Sequence, residues 1–173
     1  MNKLEPWLKN GVFYALIMIA LSLFIIHVYY LGMWIMMAAS YVILFFFFFL
    51  TAKAYKAQNG GFLSYGLTLK YCFFMGMLGF AILTLFNIIN YNVINPEAAQ
   101  FLTEKTMAGV ESTYRAMGMS EDQVILSLEV AEKQSGDAYS VSGLLLGLVM
   151  SSIVVLILAA LGALFLKKEN KAV

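Results

Sequence analysis

Four long apolar stretches, separated by more polar segments, dominate the chain. They cover residues 11–31, 33–52, 71–89 and 141–166, and they are 21, 20, 19 and 26 residues long. Apolar residues occur on all sides of each stretch and do not alternate with polar ones, which indicates helices and not barrel strands. Because a hydrocarbon core about 30 Å thick needs ~20 helical residues, each stretch can span a bilayer. We therefore predict an all-α integral membrane protein with four transmembrane helices.

The first stretch has an alternative interpretation as a cleaved secretory signal peptide. Its 21 residues exceed the apolar region of such peptides, which has about 7–15 residues. The sequence His27-Val28-Tyr29-Tyr30 at its end offers no small-residue cleavage site. We expect this stretch to be retained as a membrane span.

The composition excludes several classes of protein. Hydrophobic residues make up 62% of the chain, charged residues 12%, and the mean hydropathy is +0.83, whereas soluble domains have about 25% charged residues. A net charge of +1 leaves no basic excess for binding nucleic acid. One cysteine and one histidine cannot build a disulfide or a metal site based on those residue types. We expect no cofactor and no nucleic-acid partner; the lipid bilayer is the first partner.

The basic residues cluster in the segments that four spans place on one side of the membrane. The N-terminal segment, the loop between the second and third spans, and the C-terminal tail hold eight of the eleven basic residues and two of the ten acids. By the positive-inside rule both termini should be cytoplasmic. Aromatic residues at the span ends agree with this placement: Tyr29, Tyr30, Trp34, Tyr91 and Tyr139 at the outer interface, and Trp7, Tyr55, Tyr65 and Tyr71 at the inner one.

The polar segment of residues 91–140 is predicted to form two helices. Asn95-Pro96-Glu97 is typical of a helix start, since it combines a capping side chain, proline at the first helical position and an acid at the positive end of the helix dipole. Gly118 predicts the end of that helix, and Ser120 with Gln123 predicts a capping box for the next. We expect an extracytoplasmic helical hairpin. It divides the chain into residues 1–90, 91–140 and 141–173.

This hairpin segment is acidic. Glu97, Glu104 and Glu111 recur every seven residues and so share one helix face. They extend over ~21 Å of helix, too far apart for one calcium ion, whose ligands converge to about 2.3–2.6 Å. The row is a candidate surface for a basic partner, and a solvated connector with no further role is the alternative.

His27 is the one side chain within a span that titrates near neutrality. Ionisable groups inside the membrane are functional candidates, so His27 is a candidate pH-sensitive residue. It also lies only about 6 Å of helical rise from the outer end, where a neutral histidine can simply reach the interface. No span carries an acid or a base at its centre, which argues against proton-coupled transport, and no hydrolase motif is present. We do not expect an enzyme.

The fourth span carries small residues at four-residue steps. Such a row lets two helix backbones approach closely, either within one chain or between two copies. Gly76 and Gly79 in the third span are a weaker version of the same pattern. The predicted helix-packing residues are Gly143, Gly147, Ser151, Val155, Ala159 and Ala163.

Several stretches together resemble a known family. Gly32 to Tyr41 leads through an apolar span to Lys53-Ala54-Tyr55-Lys56, then to Asn59 to Gly66 and Lys70. With Gly118 to Asp122, these residues resemble the bacterial membrane family catalogued as domain of unknown function 4199. The resemblance covers most of the chain and departs from the family at Ala57, where a charged residue is expected. It implies four spans, an acidic hairpin between the third and fourth, and a bacterial cytoplasmic (inner) membrane. It implies no activity.

Two functions follow as hypotheses. The first is a non-enzymatic accessory or scaffold subunit that packs with another membrane protein or with itself through the fourth span or the hairpin. The second is an oligomeric small transporter or channel. Polar residues within the spans, such as Ser22, Thr84 and Asn87, are few and lie mostly near the outer end, which favours the first.

Overall fold

The computed structural model describes residues 4–27, 33–135 and 137–168. Four helices are long and apolar enough to cross a membrane, two shorter helices form a hairpin, and a π-helical turn precedes that hairpin. The predicted all-α architecture with four membrane-length helices is therefore confirmed. The elements are α1 (Pro6–His27), α2 (Met33–Gln58), α3 (Tyr65–Ile89), the π-helical turn (Asn90–Ile94), α4 (Pro96–Ala116), α5 (Glu121–Ser135) and α6 (Val141–Leu166).

The helices are longer than the apolar stretches, except for α6, which matches its prediction residue for residue. The second helix continues to Gln58, and the third begins at Tyr65, where Ser64 Oγ accepts a hydrogen bond from the Leu67 N–H at 3.5 Å. Hydropathy indicates which residues are apolar enough for the hydrocarbon core. A helix can extend beyond them, until a capping group satisfies its terminal backbone groups. Lys53, Lys56 and Lys70, predicted in a loop, are therefore helical, whereas the predicted span residues 28–31 lie outside the described part of the chain.

The third helix lies at the centre of the bundle, between α1 and α6, and two of its glycines make this possible. A Cβ atom at Gly79 would overlap the ring of Tyr14 in α1, and one at Gly76 would lie 2.7 Å from Val155 Cγ1 in α6. A Cβ at Gly11 would in turn lie 2.9 Å from the Met75 carbonyl oxygen. Glycine therefore allows close approach on two faces of α3.

Large apolar side chains fill the space among the four long helices. Tyr14, Leu44, Phe48 and Met75 are fully buried there. The run of five phenylalanines in α2 divides by helical periodicity into packing and lipid-facing residues. Phe47 and Phe48 are buried, and Phe45, Phe46 and Phe49 are exposed.

The N-terminal segment, the α2–α3 loop and the C-terminal tail meet at one end of the bundle. The backbones of Leu63 and Lys168 exchange two hydrogen bonds of 2.8 and 2.9 Å. The Tyr55 hydroxyl donates to Glu5 Oε2 at 2.7 Å, and its ring stacks on Tyr71 with the centroids 3.6 Å apart. The three basic segments therefore share one end, as the charge pattern requires. We call it the basic end, and the opposite one the hairpin end.

The hairpin begins and turns at the residues that its sequence predicts. Asn95 Oδ1 accepts a hydrogen bond from the Ala98 N–H at 3.2 Å, and Pro96 occupies the first helical turn. Gly118 ends the segment with φ +76°, a left-handed conformation that glycine adopts without steric cost. Gln123 Oε1 accepts from the Ser120 N–H at 3.1 Å, which is one half of the predicted capping box. Val124 of α5 is fully buried.

Candidate functional site

Two neighbouring cavities at the hairpin end share the side chains of Tyr91 and Tyr139. The two rings pack edge to face, with centroids 5.4 Å apart and an interplanar angle of 85°. Because both tyrosines line both cavities, we treat the cavities as the two chambers of one crevice. Together their volumes lie within the range of roughly 300–1,000 Å³ that is common for small-molecule sites.

The first chamber, of about 230 Å³, is mainly apolar and lies between the parts of α1 and α3 that are nearest the hairpin end. Its polar groups are few. Ser22 Oγ and the Tyr91 hydroxyl lie 3.4 Å apart in a hydrogen bond, and Asn87 contributes a carboxamide. We call this the apolar chamber; its apolar walls include Met18, Leu21, Ile25, Met36, Leu83 and Leu102.

The second chamber, of about 530 Å³, is bounded by the π-helical turn, the start of α4 and the turn before α6. We call it the polar chamber. It carries one carboxylate, that of Glu104, and none of the described residues that line it is basic. Its polar side chains are Asn92, Gln100, Thr103, Glu104 and Ser140, in addition to the two tyrosines.

Four asparagines within nine residues build this region. Asn95 caps α4, and Asn92 Nδ2 donates to the carbonyl oxygens of Ile88 and Tyr139, at 3.1 and 3.2 Å, which ties the turn before α6 to the end of α3. Asn87 and Asn90 differ, because Asn87 Oδ1 and Asn90 Nδ2 are buried without a hydrogen-bond partner among the described residues. Buried polar groups usually have partners, so Asn87, which lines the first chamber, offers an unused acceptor to a polar ligand group or water there.

The π-helical turn is what places these side chains. Its hydrogen bond from the Asn95 N–H to the Asn90 carbonyl oxygen is 2.7 Å long and spans five residues instead of four. The extra residue widens the turn, and both Asn90 and Tyr91 within it are buried. Such single π-turns are frequent at functional sites. Sequence reasoning missed this site; the signal available was the density of asparagine at the end of an apolar span.

The crevice includes one member of the predicted acidic row. Glu104 lines the polar chamber, Glu97 is exposed beside it on α4, and Glu111 forms an ion pair with Arg115, with Oε1 and Nε 2.9 Å apart. Arg115 also reaches Glu121 at 3.2 Å. Hydrogen bonds to these two carboxylates raise the pKa of the Arg115 guanidinium above its usual value. Within the described ranges, no group of three or more histidine, cysteine or acidic side chains could hold a metal ion.

His27 is exposed at the end of α1 and is not among the residues that line either chamber. Residues 28–32, which follow it, lie outside the described part of the chain. Its candidate role in pH sensing remains a prediction.

The small-residue row of α6 divides into two halves. Towards the basic end, Val155, Ala159 and Ala163 are buried. Towards the hairpin end, Gly147 is exposed, and a Cβ atom there would meet nothing within 4 Å. Gly147 therefore does not pack against another described helix of the same chain. The α2 and α6 helices instead leave a groove of about 300 Å³ that Ser151 lines together with Met37, Ser40 and Tyr41 of α2.

Gly143 departs from the row for a different reason. A Cβ atom there would overlap the carbonyl oxygen of Asp137 in the preceding turn. Ser140 Oγ accepts a hydrogen bond from the Gly143 N–H at 3.1 Å, which holds that turn against the first turn of α6. Gly143 thus lets the chain enter α6 tightly, and does not contact a second helix.

Comparison with known proteins places the whole arrangement in one family. The model of the family described as "Protein of unknown function (DUF4199)" matches residues 9–168, which include the four long helices almost completely, the hairpin and the crevice. No curated protein and no solved structure matches the chain. The chain therefore belongs to the DUF4199 family of proteins of unknown function.

Proposed function

We propose that this protein is a non-enzymatic accessory subunit of a bacterial cytoplasmic membrane, with both termini in the cytoplasm, that binds another membrane protein through α6. One observation carries the proposal. Ser151, in the outer half of α6, lines a groove, and a Cβ atom added at Gly147, one turn earlier on the same face, would meet nothing within 4 Å among the described residues. We call these two residues the α6 notch.

A glycine at this place is informative because it has a cost. Glycine in a helix interior is less favourable than alanine by about 0.5–1 kcal/mol, and here no neighbour in the chain requires it. A second helix backbone that packs into the notch does require it. The exposure of α6 agrees with this. In its most apolar 18-residue segment 11% of the residues are buried, against 22–28% in the other three long helices.

The oligomeric transporter or channel is the second hypothesis, and the core does not favour it. Fully buried Tyr14, Leu44, Phe48 and Met75 fill the space among the helices, so the described core of one chain offers no polar route. A pathway would have to run between copies. Many of the large exposed side chains of the described spans, among them Phe46, Leu146 and Phe165, are apolar.

Photo-crosslinking from beside the notch tests the proposal. A photoreactive phenylalanine analogue at Met150, an exposed position close to Gly147, in the full chain and in native membranes should give one discrete heteromeric product identified by mass spectrometry. The same analogue at Phe165, which is 84% exposed near the basic end of α6, should give none. A product containing only copies of this chain would instead support the oligomer.

A paired substitution separates binding from folding. Gly147→Ile should abolish the crosslink made from a neighbouring exposed position, Met150, because a branched side chain separates the two backbones. Val149→Ile, on a different and also exposed face, should leave it intact. Equal crosslinking in both variants would refute docking at the notch.

A further inference from the structure

The crevice at the hairpin end has the polarity of an amphiphile. Its apolar chamber lies among the outer parts of the membrane-length helices, and its polar chamber lies against the start of the hairpin. The paired rings of Tyr91 and Tyr139 belong to both chambers. A molecule with an apolar chain and a polar head matches this polarity when it passes between the paired rings, with one end in each chamber.

The charge of the polar chamber selects the head. Glu104 is the one charged residue among the described residues that line it, and two tyrosines line the same chamber. Aromatic faces and carboxylates both attract cations. An anionic head would face Glu104 with no basic group among the described lining residues to offset the repulsion. The chamber therefore favours a head that carries an ammonium group.

One amide of the apolar chamber adds hydrogen-bonding capacity that the described residues do not use. Asn87 lines this chamber, and its buried Oδ1 has no partner among the described residues. It offers a hydrogen-bond acceptor to the part of a bound molecule that enters this chamber.

We propose that the crevice binds an amphipathic amine with a single alkyl chain. The alkyl chain lies in the apolar chamber, and the ammonium group lies beside Glu104 and the tyrosine pair. Two sources supply this chemistry: an amine-headed membrane lipid, or a free hydrophobic amine. The site is a binding site and not a transport path, since the apolar chamber ends against the closed core that Met18 helps to form.

Ligand-dependent stability of the full chain in maltoside micelles measures this binding. Decylamine should raise the midpoint of thermal unfolding in a saturable way, because a ligand that binds only the folded state stabilises it. Decanoate and decanol, which have the same chain length, should raise it less. An equal or larger shift with decanoate would overturn the proposal.

Two acids on one helix give a matched pair of variants. Glu104→Gln should weaken decylamine binding about two- to fivefold, the range for loss of one exposed charge pair. Glu97→Gln removes an equally exposed acid that does not line the polar chamber and should bind as the wild type does. Both residues are on the surface, so both variants should fold. Equal affinities in the two variants would show that Glu104 does not hold the head.

A second pair of variants tests the apolar chamber. Ser22→Phe should fill it and remove decylamine binding, whereas Ala20→Phe adds the same ring at an exposed position of α1 and should have no effect. Loss of binding in Ala20→Phe as well would show that the decyl chain does not lie in the apolar chamber. If Ser22→Phe does not fold, the two glutamate variants decide.

Native mass spectrometry of the chain purified from membranes distinguishes the two sources. A retained amine-headed lipid that decylamine displaces identifies the lipid. Decylamine binding to a chain that retains no lipid identifies a free amine. A retained acidic lipid that decylamine fails to displace would overturn the proposal.

Discussion

Glycines in the spans differ in what a side chain at their position would meet. Gly79 lies against the Tyr14 ring, and Gly76 lies against Val155, whereas Gly147 faces open space. Gly76 and Gly79 are therefore needed for helix packing within the single chain, whereas Gly147 is not. The contacts across the helix interface decide which glycine is essential.

Gly79→Ala should destabilise the protein. The new methyl group would overlap the Tyr14 ring, which is fully buried and cannot move into solvent. Overpacking of this kind costs about 1–3 kcal/mol, so the midpoint of thermal unfolding in detergent should fall. Gly147→Ala in the same background is the control. It should leave the midpoint unchanged or raise it, because alanine in a helix interior increases the free energy of unfolding by up to about 1 kcal/mol relative to glycine. A larger loss in Gly147→Ala than in Gly79→Ala would contradict the arrangement of α1 and α3.

Sequence reasoning ranked these glycines differently from the contacts that the structure shows. It took the longer row in α6 as the stronger packing signal and the Gly76 and Gly79 pair as the weaker one. Spacing states that small residues share a face, but it does not state which helix meets that face. The central position of α3 depends on how all four helices pack, and that information is not local.

At the scale of elements, the hairpin is the part that the sequence predicts best. Each of its predicted signals acts on backbone only a few residues away. Asn95 and Gln123 accept hydrogen bonds from backbone N–H groups three residues away, and Gly118 adopts the left-handed conformation that ends the first helix. Such local chemistry can be read without knowing the rest of the fold. The π-helical turn was not predictable in this way, because its Tyr91 contacts Ser22 of α1 and Tyr139, which are distant in sequence.

Asn95→Ala should weaken the hairpin through its first turn. The substitution removes the acceptor for the Ala98 N–H, and loss of such a cap costs about 0.5–2 kcal/mol. Hydrogen–deuterium exchange in micelles should show faster exchange of the first amides of α4. Asn95→Asp keeps the acceptor and is the matched control. Unchanged exchange in Asn95→Ala would mean that another group caps the helix.

The acidic row should contribute little to folding. Replacement of Glu97, Glu104 and Glu111 by glutamine removes two exposed acids and one ion pair that is itself largely exposed, and exposed pairs contribute about 0–1 kcal/mol. We expect a thermal midpoint close to that of the wild type, and loss of salt-sensitive binding to any basic partner. Micromolar calcium binding by the wild type that the triple variant loses would contradict the interpretation of the row as a solvated surface.

At the scale of the whole molecule, charge and contact lead to the same arrangement by independent routes. Counting lysines in short segments predicts that the N-terminal segment, the α2–α3 loop and the tail lie on one side. The structure brings the same three segments together through Leu63, Lys168, Tyr55 and Glu5. The count of spans and their alternation were thus predictable, because both depend on composition and length. The crevice was not, because it forms from residues that are distant in sequence.

The sidedness of the molecule follows as the final prediction. Gln58→Cys lies at the basic end and Ile125→Cys lies in the hairpin, both at exposed positions. Native Cys72 is fully buried and should not react, so the unsubstituted chain is the control. With a membrane-impermeant maleimide, intact cells should label position 125, and position 58 should become labelled only after permeabilisation. The N-terminal segment, the α2–α3 loop and the tail carry eight basic residues against two acids in the sequence, which should hold the basic end in the cytoplasm, because the insertion machinery retains Lys and Arg in short loops. Labelling of position 58 in intact cells would invert the topology and would place the crevice on the cytoplasmic side.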